Sequence, residues 1–223
     1  MGMKKIFLFS ATLILAAVSG FGQALKPVAI DSKVTVSLPA SYQKTDTLGQ
    51  QIFSSNSPLG YVVVMRTPNA KNTAPLQKER DLDNVLKENV KSIQDESSNA
   101  SAQFVRDTTI GKLKAKAFTL QTDNGQGDIQ FRNIVLLYTN AASYVFEYVY
   151  PNARKDMIAG DYKAFVNSIK LSPELERHDQ YISNAKGMSP VLMVGLIGGG
   201  VLIIVFGVLY IQRKRRLELV END

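Results

Sequence analysis

Residues 191–211 carry no charged side chain. At 1.5 Å rise per residue such a stretch, wound as a helix, reaches about 30 Å, the thickness of a bilayer's hydrocarbon core. Ser189 and Pro190 open it, and Tyr210 lies near its end, where aromatic rings favour the membrane interface. Arg213, Lys214, Arg215 and Arg216 follow directly. Four adjacent cations resist translocation, so this end is expected in the cytoplasm. A buried soluble helix would show a polar face, and this stretch has none. No LPxTG-like motif stands in 184–190, and the chain continues past the arginines to Asp223, so a permanent anchor is favoured over a processed sorting signal.

The N-terminus supports the same orientation. Lys4 and Lys5 precede an apolar run over 6–18, interrupted by Ser10 and Thr12, and the small residues Ser19, Gly20, Gly22 and Ala24 follow. A spanning helix needs about 20 apolar residues, whereas secretory h-regions run about 7–15. A cleaved signal peptide over 1–24 is therefore expected in preference to a retained anchor, with either Gly20 and Gly22 or Gly22 and Ala24 in the small-residue positions. The chain then divides into the signal, an exported domain over 25–171, a stalk over 172–189, a transmembrane helix over 190–212 and a basic tail over 213–223. This places the protein in a bacterial inner membrane as a single-pass protein, its main domain periplasmic or extracellular and its C-terminus cytoplasmic.

Charge and cysteine content narrow the functional classes. Half of the net charge of +6 lies at the membrane-targeting ends, in Lys4, Lys5 and the tail cations less Glu218, Glu221 and Asp223. What remains is spread along the exported domain, without the clustered basic face that nucleic acid requires. The absence of cysteine removes thiolate nucleophiles, thiolate metal sites, disulfides and lipidation of an N-terminal cysteine.

Within the exported domain, Val34, Val36 and Leu38 alternate with polar residues, the period of a half-buried strand. Residues 50–53 and 61–65 are the next strands, separated by a turn-rich segment, and the all-apolar 61–65 predicts a central strand covered on both faces. Leu82, Val85, Leu86, Val90 and Ile93 form the stripe of an amphipathic helix with Asp81 as its N-cap. Strands over 102–106 and 111–122 follow, then a hairpin of 129–138 and 143–150 in which Tyr144, Phe146, Tyr148 and Tyr150 share one face. Tyr162, Phe165, Val166 and Ile169 make a second helical stripe. Strands grouped around two separated helices predict an α+β fold with an antiparallel sheet.

Several details of this order are shared with a known family. They are the Val-x-Leu-Pro strand at 36–39, the Gly-Lys-x-Lys-Ala element at 111–115, the hairpin ending in aromatics and the Asp-Tyr-Lys-Ala-Phe-Val-Asn-Ser-Ile helix at 161–169. Over residues 28–171 the chain resembles the Mog1/PsbP-like superfamily, including its DcrB-like and PsbP-related members. The resemblance implies an α/β/α sandwich, an antiparallel sheet flanked by helices. It also implies no catalysis, but rather an accessory or binding module of a larger assembly; no cofactor is expected.

Candidate sites are few. Lys112, Lys114 and Lys116 alternate with Leu113, Ala115 and Ala117, so three cations on one strand face offer a surface for an anionic partner or lipid head group, or a charged edge that blocks strand pairing. Gly195 and Gly199 have the spacing that lets two membrane helices approach, which permits a helix-mediated homo-oligomer or pairing with another membrane protein. His178, the single histidine, falls in the stalk and reads as incidental. Asp123 and Asp128 bracket a hairpin turn in preference to a calcium loop, since Gly125 and Ile134 stand where ligands are needed. Asp81, Asp83, Glu88, Asp95 and Glu96 form a solvated helix face. Asn99 begins a glycosylation sequon that the short signal argues against using.

The leading expectation is a non-enzymatic, membrane-tethered binding or assembly module with a membrane or periplasmic protein partner. The alternatives are an enzyme using Tyr144, Tyr148 or Glu147 in a cleft, and an ectodomain that relays binding through a transmembrane partner.

Overall fold

The computed structural model describes residues 25–183, apart from 48, 98 and 124–126. The signal segment, Gly195, Gly199, the spanning stretch and the cations Arg213, Lys214, Arg215 and Arg216 all lie outside the described residues. Among the described residues no helix is long and apolar enough to cross a membrane.

Two antiparallel sheets organise the described residues. The smaller holds β1 (Leu25–Ala29), β2 (Val34–Pro39) and β10 (Lys170–Leu171), in the order β1-β2-β10. The larger has seven strands: β3 (Gln43–Thr47), β4 (Gln50–Ser57), β5 (Gly60–Pro68), β6 (Ala100–Ile110), β7 (Leu113–Asp123), β8 (Ile129–Tyr138) and β9 (Ala142–Pro151). Its order is β3-β4-β5-β9-β8-β7-β6, so β5 and β9 meet at the centre as the two halves join. Among the described residues the α-helices are α1 (Glu79–Asp95) and α2 (Ala159–Asn167).

Each face of the large sheet has its own core. On one face the small sheet and α2 cover β9's Tyr144, Phe146, Tyr148 and Tyr150, all nearly inaccessible, as the period-2 pattern predicts. On the other face Leu82, Leu86 and Val90 of α1 pack on Phe118, Leu120, Ile134 and Leu136. Helix α1 lies mainly over β6, β7 and β8. This overturns the expectation that 61–65 is covered on both sides: Val62 and Val64 are buried, but Tyr61 is exposed and Val63 and Met65 are half-buried. The strand covered on both faces is β8, where residues 133–138 are buried without interruption.

Helix α1 begins one turn earlier than its expected cap. Asp81 sits in the first turn, and its carboxylate accepts the Lys78 N–H at 2.9 Å, satisfying a donor that the helix leaves open.

Residues 172–183, read from the sequence as the first part of a stalk, belong to the fold. Leu175 and Tyr181 are buried and Gln180 is fully enclosed. The Gln180 amide nitrogen donates to the Lys114 and Tyr138 carbonyls at 2.7 and 2.9 Å, and its oxygen accepts the Lys114 N–H at 2.9 Å. One polar side chain thus ties the segment to β7 and β8, where a hydrophobic pattern would ordinarily have signalled burial. The Ile182 and Ser183 N–H groups donate to Leu76 and Gln77, which strap the segment beside the entry to α1.

Candidate functional site

The three sequence-selected lysines do not form an open cationic face. Strand β7 is interior, because β6 pairs with its outer side, so the charged-edge reading of this strand is corrected as well. Lys112 lies in the turn before β7 and pairs with Glu176 at 3.4 Å. Lys114 pairs with Glu79, and Lys116, itself buried, pairs with Asp107 directly across the strand pair. Each cation is answered by a carboxylate of the chain itself. Leu113, Ala115 and Ala117 are buried on the opposite face, as their alternation predicts.

Nor are Tyr144, Tyr148 and Glu147 brought together. Glu147 faces the α1 side of β9, where Arg132 holds it through two hydrogen bonds of 2.5 and 2.8 Å. The tyrosines share the other face but end in different surroundings. The Tyr144 hydroxyl donates to Asp31 at 2.6 Å, and Arg66 Nε donates to the same carboxylate oxygen at 2.7 Å. The second Asp31 oxygen accepts the Lys33 and Val34 N–H groups at 2.8 and 2.9 Å. Burial opposes the Asp31 charge, but the bonds from Tyr144, Lys33, Arg66 and Val34 together hold its pKa below the ordinary carboxylate value. Burial first, then the bond to Asp31, pushes Tyr144 well above the ordinary tyrosine value. This closed network pins the β1–β2 turn to the large sheet.

Tyr148 stands instead in an open cleft of about 510 Å³. Its walls are Leu25 of β1, Pro39 of β2, the 57–60 hairpin between β4 and β5, Val62, and Ala164 and Phe165 of α2. The volume and apolar lining are those of a binding pocket. Besides Ser37, a polar cluster interrupts the lining: the Tyr148 hydroxyl lies 3.1 Å from that of Ser57 and donates to Asp161 at a long 3.4 Å. Gly60 makes this geometry possible, since a Cβ there would stand 2.2 Å from the Val149 carbonyl oxygen and 2.8 Å from the Tyr148 ring. Burial raises the Tyr148 pKa, so the group is a neutral hydroxyl and not a ready base. His178 does not line the cleft; it sits in an exposed turn (Arg177–Asp179) with its side chain 64% accessible. Nothing in the cluster activates Ser57 as a nucleophile. Its chemistry is recognition: two hydroxyls and a carboxylate set in an apolar wall.

A smaller groove of about 350 Å³ beside α1 joins Asp83 and Leu86 to Asp107 and Lys114. Two of its ionic groups are already paired with residues outside it, Lys114 with Glu79 and Asp107 with Lys116. Among the described residues no group of histidine, aspartate and glutamate side chains is placed to hold a metal ion.

No protein-family model matches the chain, and no curated protein matches it. Solved structures do. The solution structure of the cyanobacterial PsbP protein CyanoP from Synechocystis sp. PCC 6803 superposes with a TM-score of 0.50 at 12% identity, covering 69% of this chain and 96% of that one. PA94 from Pseudomonas aeruginosa, a protein of unknown function, gives a TM-score of 0.44 at 12% identity, with 67% and 98% covered. Mostly antiparallel sheets with two helices, together with the superposition on CyanoP, give this chain a PsbP-like α+β fold.

Proposed function

We propose that this chain is a non-enzymatic binding or assembly module, tethered to a bacterial membrane with its folded domain outside the cytoplasm and accessory to a larger membrane-associated complex. In this reading the cleft between the small sheet, the β4–β5 hairpin and α2 takes an apolar segment of a protein partner. The observation that carries it is the cleft itself, an apolar pocket with a polar cluster suited to holding and not to turning over a ligand. The PsbP-like fold agrees with an accessory role. The uncharged stretch 191–211 and the cations after it supply the tether.

Site-specific photo-crosslinking tests the reading. A photoreactive residue at Pro58, on the cleft wall and exposed, is expected to give a discrete adduct in intact membranes, whereas one at Lys44, exposed on edge strand β3 and outside the cleft lining, gives none. Leu25→Asp, at a residue already 46% exposed, is expected to abolish the Pro58 adduct without unfolding the domain. Equal adducts from Pro58 and Lys44, or an adduct indifferent to Leu25→Asp, would remove the cleft from the account.

The enzymatic alternative, which looked to Tyr144, Tyr148 or Glu147, keeps Tyr148 alone in the cleft. It requires Tyr148→Phe to abolish a turnover that the raised tyrosine pKa and the unactivated Ser57 do not favour.

A further inference from the structure

Asp161 is the unusual member of the cleft. Asp31 and Glu147, which meet the two faces of the large sheet, are each answered by an arginine, Arg66 and Arg132. Asp161 is half-buried, opens onto an apolar wall and makes no ion pair among the described residues; its one side-chain partner is the neutral Tyr148 hydroxyl at 3.4 Å. A carboxylate with four acceptor positions and a single long hydrogen bond keeps most of its acceptor capacity for something else. The neighbouring Ser57 and Tyr148 hydroxyls can share the donors of a cation that Asp161 neutralises.

We propose that the cleft selects a partner segment that is apolar and carries one lysine or arginine, the cation pairing with Asp161 while the flanking side chains pack on Leu25, Pro39, Leu59 and Phe165. This rests on the cleft being the partner site and adds the chemistry of its occupant. The stem of lysine or arginine suits such a surface, because its methylenes cover apolar wall while the head reaches a polar group. A peptide fits better than a small amphiphile for a second reason. Strand β1, which contributes Leu25, forms the end of the small sheet, and its outer edge is unpaired among the described residues. An extended peptide beside that edge meets unpaired backbone carbonyls, Pro27 having no N–H of its own, that a hydrocarbon chain cannot use.

The test uses the full chain in nanodiscs of zwitterionic lipid, with empty discs as reference. Three labelled, capped apolar pentapeptides differ only at the central residue, which is lysine, glutamine or glutamate. The lysine peptide is expected to bind about tenfold more tightly than the glutamine one, with the glutamate peptide weakest. Asp161→Asn is expected to erase that preference, while Asp156→Asn, at an exposed carboxylate outside the cleft, leaves it intact. Thermal unfolding of both variants checks that the fold survives.

Equal binding of the three peptides, binding of none, or a lysine preference that persists in Asp161→Asn each overturns the proposal. Tighter binding of decylammonium than of the lysine peptide also overturns it, by assigning the site to a small ammonium amphiphile. The Pro58 adduct separates the two levels: if it persists while the peptides show no charge preference, the cleft stands and the Asp161 assignment falls.

Discussion

Tyr144 and Tyr148 lie four residues apart on one strand, on the same face, and both are all but inaccessible. Their hydroxyls meet opposite fates. That of Tyr144 ends in a saturated network with Asp31, Arg66 and two backbone N–H groups, which sews the small sheet to the large one. That of Tyr148 ends in a cluster with long contacts and spare acceptors, open to a cleft. Identical residues in one ladder thus divide into a structural group and an available one. The division follows from what faces them: the charged turn of the small sheet in one case, a gap between hairpin and helix in the other.

The largest expected effect falls on the closed side. Asp31→Ala leaves Arg66, the Tyr144 hydroxyl and two N–H groups without their acceptor, and is expected to cost about 3–4 kcal/mol in urea unfolding. A loss below about 1 kcal/mol would mean that the network does not hold the sheets together. Next comes Gly60→Ala, which must push the hairpin away from Val149 and Tyr148, with a cost of about 2 kcal/mol and a weaker Pro58 adduct. An unchanged adduct would show that the hairpin wall is dispensable.

The direct contrast is between two hydroxyl deletions. Tyr144→Phe is expected to cost about 1.5 kcal/mol and to spare peptide binding, whereas Tyr148→Phe costs about 0.5 kcal/mol or less and weakens binding. A reversal of that ranking breaks the comparison. The smallest effect is in acid. The Asp31 pKa is depressed on folding, so its contribution is complete above its unfolded value of about 3.8 and is lost as pH falls through the lower folded value. Tracking stability from pH 5 to pH 2 should show a shallower decline in Asp31→Asn than in the parent chain.

The sequence reveals the alternation of β2, β7 and β9 and the apolar stripes of both helices, because period 2 and period 3.6 leave one-dimensional signatures. It hides elements whose burial is not apolar. Strand β3, Gln43–Thr47, is exposed along its whole length and is held by pairing with β4 alone. The strap over 172–183 is fixed by Gln180, one enclosed amide among few apolar residues. That β2 belongs to a separate small sheet depends on its partners in β1 and β10, which alternation within β2 cannot identify.

The site was legible only in part. Tyr148 stands out as a tyrosine in an aromatic ladder, but Ser57 is 91 residues from it and Asp161 lies on a separate helix, 13 residues on. Only the pairing of β5 with both β4 and β9 puts the hairpin beside Tyr148. Glu147 is adjacent to Tyr148 in sequence yet points to the other face, as strand geometry requires. The lysines at 112, 114 and 116 are conspicuous in the sequence, but their answering carboxylates come from α1, β6 and the strap.

Hydrogen exchange of the full chain, with and without the lysine peptide, tests the cleft most directly. Added protection is expected in three places together: β1, the 57–60 hairpin and α2. Protection confined to the groove of Asp83 and Lys114, or none in the three walls, would contradict it.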